Sequence, residues 1–223
     1  MEQPIETKHI KIITVTDGCK AGAFSLLHRY VNDDFDLDTR PTKLDFLVKT
    51  INTNVNNITG DQDFDTHDRI KLQMWCAHWR GEIYNTHNPV FYRHASAILF
   101  IFDVTNRKSY ERCAHWLEDA RLQLTLDGSN LTDQGPIMAL VATKCDLEEQ
   151  RVTSTQEAQQ WATSVNIDGY FETSALENTG IDETFNSVVE LILERNYIFP
   201  SCQRVNTNPP PPPPQSRSYC TIQ

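Results

Sequence analysis

The sequence predicts an α/β fold: a six-stranded, mostly parallel sheet flanked by about five helices. Two observations carry that prediction. Apolar runs alternate with amphipathic segments of helical period, the pattern of βα units. One pair of apolar runs, Leu44–Asn52 and Arg69–Cys76, has no helical segment between its members, so those two strands are expected to be antiparallel neighbours in an otherwise parallel sheet.

In chain order, the run His9–Thr16 reads as the first strand, and Gly22–Val31 as the first helix. Strands Leu44–Asn52 and Arg69–Cys76 follow, joined by a long polar, Asn/Asp-rich connection from Thr53 to Asp68 that reads as an insertion. Tyr84–His94 is the next helix, Ser96–Phe102 a strand, Lys108–Leu126 a helix, Pro136–Ala142 a strand and Thr155–Ser164 a helix. Gly169–Glu172 is the last strand and Ile181–Asn196 the last helix. From Phe199 onward the periodicity stops, and the Pro209–Pro214 run marks a tail. The expected organisation is an N-terminal extension over 1–8, one domain over 9–198 and a Pro-rich tail over 199–223.

Composition narrows the function. At 223 residues the chain can bury one substantial core. A formal net charge of −10 argues against nucleic acid as a partner and against simple adhesion to anionic lipid. Cysteines 19, 76, 113, 145, 202 and 220 show no CxxC pairing and no metal-ligand spacing, so reduced thiols and no bound metal are expected. There is no signal peptide and no stretch of about eighteen apolar residues, so no membrane span is expected. Asn57-Ile58-Thr59 and Asn130-Leu131-Thr132 fit the glycosylation sequon, which a cytosolic chain leaves unused.

The motifs are more specific. Ala142-Thr143-Lys144-Cys145-Asp146 follows an apolar strand, and Glu172-Thr173-Ser174-Ala175-Leu176 follows the next one. With them, in order, stand Ser25-Leu26-Leu27-His28-Arg29-Tyr30, Leu44-Asp45-Phe46-Leu47-Val48-Lys49-Thr50-Ile51, Leu72-Gln73-Met74-Trp75, Phe91-Tyr92-Arg93 and Phe102-Asp103-Val104-Thr105. From about His9 to Asn196 the chain resembles the Rab branch of the Ras superfamily of small GTPases. The resemblance implies a P-loop GTPase-like fold and a guanine-reading site. There, the Asp146 carboxylate would accept two hydrogen bonds from the guanine edge, a pairing adenine cannot offer. The Lys144 stem would lie on the purine ring, and a backbone N–H near Ala175, beside Ser174, would donate to O6. Thr143 stands where the family usually has Asn, which implies the loss of a loop-tying amide.

The phosphate half departs from the family. Aligned through Ser25-Leu26-Leu27, the GxxxxGK[ST] loop falls on Asp17-Gly18-Cys19-Lys20-Ala21-Gly22-Ala23-Phe24. Asp17 replaces the first glycine, Ala23 the phosphate lysine and Phe24 the magnesium hydroxyl. Lys20 is a candidate substitute cation from another point on the loop, restoring charge without restoring the metal ligand. After Trp75 the family has Asp-Thr-Ala-Gly-Gln; here Cys76 replaces the metal-organising aspartate, Trp79 the glycine and Arg80 the water-orienting glutamine. His78 is a weak candidate for a base. The first switch offers Thr42 only with a one-residue deletion and otherwise Pro41, and upstream of it Asp33, Asp34, Asp36 and Asp38 read as a solvated charged face that also disfavours an anion nearby.

The resemblance also implies an effector surface at Phe46, Trp75 and Phe91, the alternative being ordinary half-buried sheet aromatics. The last residues, Cys220-Thr221-Ile222-Gln223, fit a CaaX prenylation motif on Cys220, with no polybasic run upstream. One lipid gives reversible anchoring, with Cys202 a second acyl site or a free thiol. The six prolines form a polyproline II spacer of roughly 19 Å or a ligand for SH3-type domains.

Together these readings give an expected pseudo-GTPase of vesicle traffic. It would lie in the cytoplasm and associate reversibly with a membrane, binding protein effectors or regulators, with weak GTP/GDP binding, doubtful magnesium and no catalytic residue. The alternative is a divergent working GTPase that uses Lys20 and Arg80 in place of the lost groups.

Overall fold

The structure, a computed structural model, describes residues 7–16, 20–36, 44–53, 68–78, 89–126 and 135–195. In chain order the elements are β1 (Thr7–Thr16), α1 (Ala23–Asn32), β2 (Leu44–Thr53), β3 (Asp68–His78), α2 (Pro89–Tyr92), β4 (Ala97–Asp103), α3 (Arg107–Leu126), β5 (Ile137–Thr143), α4 (Thr155–Ser164), β6 (Gly169–Glu172) and α5 (Ile181–Glu194). A single 3-10 turn, Glu148–Gln150, lies between β5 and α4.

The strands form one six-stranded sheet in the order β2-β3-β1-β4-β5-β6. Every adjacent pair is parallel except β2 with β3, the pair that lacks an intervening helix. Burial explains the middle of the sheet: all seven residues of β4, Ala97–Asp103, are buried, as a strand covered on both faces requires. One face packs Ile10, Ile12, Leu72, Met74 and Val141 against Leu26 and Leu27 of α1 and Phe185 and Val188 of α5. The other packs Ile13, Ile98, Phe100 and Leu140 against Tyr110, Trp116 and Leu117 of α3 and Ala158 of α4.

The helix ends follow local chemistry. Ser154 caps α4, its hydroxyl accepting from the Glu157 N–H at 3.2 Å. Gly22 and Gly180 start α1 and α5 with φ of 78° and 70°, the left-handed region that favours glycine.

Some expected boundaries are corrected. β1 begins at Thr7 rather than His9, because Thr7 and Lys8 already pair with Arg69 and Ile70. The helix expected over Tyr84–His94 is described only as the single turn Pro89–Tyr92; it stops there because Ala95 N–H closes on the Tyr92 carbonyl at 3.1 Å and His94 turns left-handed at φ 57°. Residues 84–88, the insertion over 54–67 and the tail lie outside the described residues.

The register brings one set of strand ends together. Asp103 lies beside Thr143, Ala142 beside Glu172 and Thr16 beside Ile101. The chain also changes direction across the sheet here, from β3 on one side of β1 to β4 on the other. Open α/β sheets bind ligands at such a carboxyl edge.

Candidate functional site

Two loops at this edge carry the guanine motifs, and each is held by side chains distant in sequence. Thr143 ends β5 almost fully buried, its hydroxyl 2.6 Å from the Ala21 carbonyl and 2.9 Å from that of Phe102. Its single proton serves one carbonyl at a time, yet either bond fastens β5 to a neighbouring segment. The tie expected to be lost with the family's Asn is therefore made by a hydroxyl. Gly22 packs against the same side chain: an added Cβ would stand 3.4 Å from Thr143 Oγ1.

Lys144 follows in a left-handed conformation, φ 60°, and its ammonium lies 2.6 Å from Asp103 Oδ2. The other oxygen of Asp103 accepts from the Thr105 N–H at 2.8 Å and its hydroxyl at 2.7 Å. The Lys144 head is thus anchored to β4.

Asp146 lies next to the second motif. The Ser174 hydroxyl donates to Asp146 Oδ1 at 2.6 Å and accepts from the Glu177 N–H at 3.1 Å, which orients the carboxylate. The Cys145 N–H reaches the Thr173 carbonyl at 3.2 Å, the Thr173 N–H reaches the Ala142 carbonyl at 2.8 Å, and a reciprocal backbone pair joins Ser174 to Thr179. Arg29 of α1 braces this loop from outside, with Nε 2.8 Å from the Ala175 carbonyl, Nη2 3.2 Å from that of Leu176 and Nη1 3.0 Å from that of Asp33. All five predicted guanine residues, Thr143, Lys144, Asp146, Ser174 and Ala175, lie on these two joined loops.

A charged cluster supports the loops from below. Burial disfavours the Glu172 carboxylate, but bonds from Thr155, Tyr170 and Arg151 outweigh it and hold its pKa below the usual value. Tyr170 donates to Glu172 at 2.5 Å and Arg151 at 3.0 Å. Burial, with the charge of Glu172, pushes the Cys145 thiol up to about 11, which keeps it protonated at neutral pH.

The phosphate side is built differently. Ala23, at the position of the family's lysine, is 2% exposed and ends in a methyl group. Phe24, at the position of the magnesium hydroxyl, packs partly on the core, its ring centroid 5.6 Å from that of His28. Ser25, Asp34, Phe35 and Asp36 complete a shallow, solvent-open hollow around these two rings. Cys76 is fully buried in the apolar cluster of Ile10, Ile12, Leu72 and Met74. Magnesium requires oxygen ligands in near-octahedral geometry, and a methyl, a phenyl ring and a core thiol supply none. The base half fits guanine; the residues described on the phosphate side do not fit a magnesium–phosphate group. Lys20 is exposed, while Asp17, Gly18, His78's side chain, Trp79, Arg80, Pro41 and Thr42 lie outside the described residues.

Away from this edge, Phe46 and Trp75 face each other across β2 and β3 in register, ring centroids 4.5 Å apart. Phe46 is 43% exposed and Trp75 half-buried. Phe91 is half-buried and packs on the cluster of Ile13, Ile98 and Phe100, edge-on to Tyr92 at 5.5 Å. The structure thus brings two of the three predicted surface aromatics into ring contact. Arg29 and Asp103 escaped the sequence reading as site residues. Both stood in recognised stretches, but their partners lie 146 and 41 residues away, beyond any local signal.

The sequence matches the family model described as Ras family over residues 11–194. This chain belongs to the Ras family. Among individual proteins it is similar to Ras-related protein RabC of Dictyostelium discoideum, 31% identical over 81% of this chain and 82% of the relative. It is also similar to human Ras-related protein Rab-3A, 30% identical over 82% of this chain and 74% of the relative. Ras-related protein Rab-3 of Caenorhabditis elegans is 28% identical over 93% of this chain and 89% of the relative. The Rab-like character read from the motifs agrees with these matches. In this Ras-family protein no helix among the described residues is long and apolar enough to cross a membrane.

Proposed function

We propose that this Rab-like protein is a pseudo-GTPase of intracellular vesicle traffic, binding effectors or regulators through its β2–β3 face without a GTP cycle. The observation that carries the reading is the phosphate side. Ala23, Phe24 and Cys76 stand where the lysine and two metal-organising groups belong, and the first and last are buried in apolar surroundings. A triphosphate brings nearly four negative charges, and desolvating unpaired charge costs several kcal/mol per ion. Hydrolysis in this class depends on positioning and on electrostatic stabilisation by those same groups. The exposed Phe46 beside Trp75 supports a protein-binding face that persists without nucleotide.

The experiment is nucleotide content. Protein purified without added nucleotide, denatured and analysed by ion-exchange chromatography, is expected to release well under a tenth of an equivalent of GDP plus GTP. Near-stoichiometric nucleotide would return the chain to the working-GTPase reading.

Membrane association forms the second part of the proposal. A single prenyl group on Cys220, with no basic cluster beside it, would give partial and reversible attachment. Fractionation of cells expressing wild type should place part of the protein with membranes, and Cys220→Ser should place essentially all of it in the cytosol. Identical distributions would remove the lipid from the proposal. Tight membrane binding of wild type would call for a second anchor and make Cys202→Ser the next variant.

A further inference from the structure

Lys11 is a cation on β1, on the sheet face that carries Ile13 and Val15 and away from the carboxyl edge. Its ammonium donates to the Phe91 carbonyl at 2.8 Å and to the Arg93 carbonyl at 2.8 Å. The same ammonium stands 5.9 Å from the centroid of the Trp75 ring. Those two carbonyls sit where α2 ends, beside the left-handed His94. A lysine at a helix C-terminus satisfies carbonyls that the helix leaves without donors and opposes the negative end of its dipole.

We propose that Lys11 is the positioning residue of the aromatic face, tying the Phe91 segment to Trp75 from inside the sheet. This inference rests on the reading of Phe46, Trp75 and Phe91 as a partner-binding surface and concerns how that surface is held. Phe46 and Trp75 are fixed to one another by strand register and ring contact. Phe91 belongs to a one-turn helix, and four residues cannot hold a helical turn by propensity alone. The lysine supplies what the short helix lacks, from a strand that is itself paired on both sides, by β3 and β4. Its anchor is internal to the protein, so the face keeps one geometry whether or not a nucleotide is present at the carboxyl edge. Cation–aromatic attraction to Trp75 adds to the two charge-assisted bonds.

The test uses the full chain and compares wild type, Lys11→Met and Lys11→Arg. Met keeps the length of the stem and removes the donors; Arg restores donors and charge. Amide hydrogen exchange over residues 91–95 should accelerate about tenfold to a hundredfold in Lys11→Met, the loss expected for bonds to a charged group, and return towards wild type in Lys11→Arg. With 5-fluorotryptophan incorporated, the Trp75 fluorine resonance should move in Lys11→Met while those of Trp116 and Trp161 stay in place. Unchanged exchange over 91–95, or an acceleration spread equally over Ala97–Asp103, would overturn the proposal. If Lys11→Met does not fold, the wild type decides alone: the Lys11 ammonium protons should exchange more slowly than those of exposed Lys108, and equal rates would refute the clasp. None of these readouts involves a partner. Partner capture that survives Phe46→Ala would fault the surface reading and leave the Lys11 clasp standing.

Discussion

Titration with a fluorescent GTP analogue is expected to give a Kd in the high-micromolar to millimolar range, the same with and without magnesium. The value follows from what the edge retains. Base contacts through Asp146, Lys144 and the Ala175 loop amount to a few net hydrogen bonds, worth about 1 kcal/mol each and up to about 3 kcal/mol where a charge takes part, and a total of about 4–5.5 kcal/mol corresponds to that range. On the proposed reading the phosphates add little, because Ala23 offers no cation and Phe24 and Cys76 offer no oxygen to a metal. Asp146→Ala should remove whatever guanine preference remains, since Ser174 orients that carboxylate and the other acid on the two motifs, Glu172, is held by Arg151, Thr155 and Tyr170. The thermal midpoint of the wild type should be unmoved by micromolar GTP, as mass action predicts for a ligand far below its Kd. Submicromolar binding that requires magnesium would overturn the pseudo-GTPase proposal.

Gly180→Ala is expected to be among the most damaging single substitutions in the domain. A Cβ at this position would stand 2.0 Å from the Glu172 carbonyl oxygen and 3.2 Å from its carbon. Both are backbone atoms of β6, which cannot move aside as a flexible side chain would. The positive φ of 70° adds the strain of a left-handed alanine. A loss of about 3–5 kcal/mol is expected, read as a fall in Tm on the order of 10 °C. Gly22→Ala is the matched control: its φ is 78°, but the new Cβ meets Thr143 only at an ordinary 3.4 Å. That variant should cost about 1–2 kcal/mol, the backbone strain alone. Equal losses in the two variants would mean that the 174–179 loop can shift away from β6. Such a shift would also spread Ser174 from Asp146 and weaken the base site further.

Six strands, the single antiparallel pair and the two guanine loops were legible in the residues, because each is written within a short stretch. An apolar run long enough to cross the sheet shows itself locally, as Ala97–Asp103 does, and so does the missing helix between β2 and β3. The replacements at Ala23, Phe24 and Cys76 could be named from the sequence because each is a single letter at a position the resemblance fixes. The sequence also determined the ends of α4 and β6 to the residue, where Ser154 supplies a local cap and a short strand is bounded by glycine and the Thr173-Ser174 turn.

What only the tertiary structure decided are the contacts that hold these pieces. Thr143 replaces the family's Asn as a tie because folding brings the Ala21 carbonyl, 122 residues away in sequence, within 2.6 Å of its hydroxyl. The Lys144 ammonium belongs to Asp103 because β4 and β5 are neighbours in register, not because of anything in the Lys144 motif. Arg29 reads as an ordinary helix cation until α1 is packed beside the Ala175 loop. Lys11 likewise reads as a polar residue in a strand until the chain returns with Phe91 above it. Local pattern reports which face of an element is apolar; it carries no information about which distant carbonyl an exposed hydroxyl or cation will meet. That pairing is set by sheet order and register, and it is there that this chain departs from the expectations of its motifs.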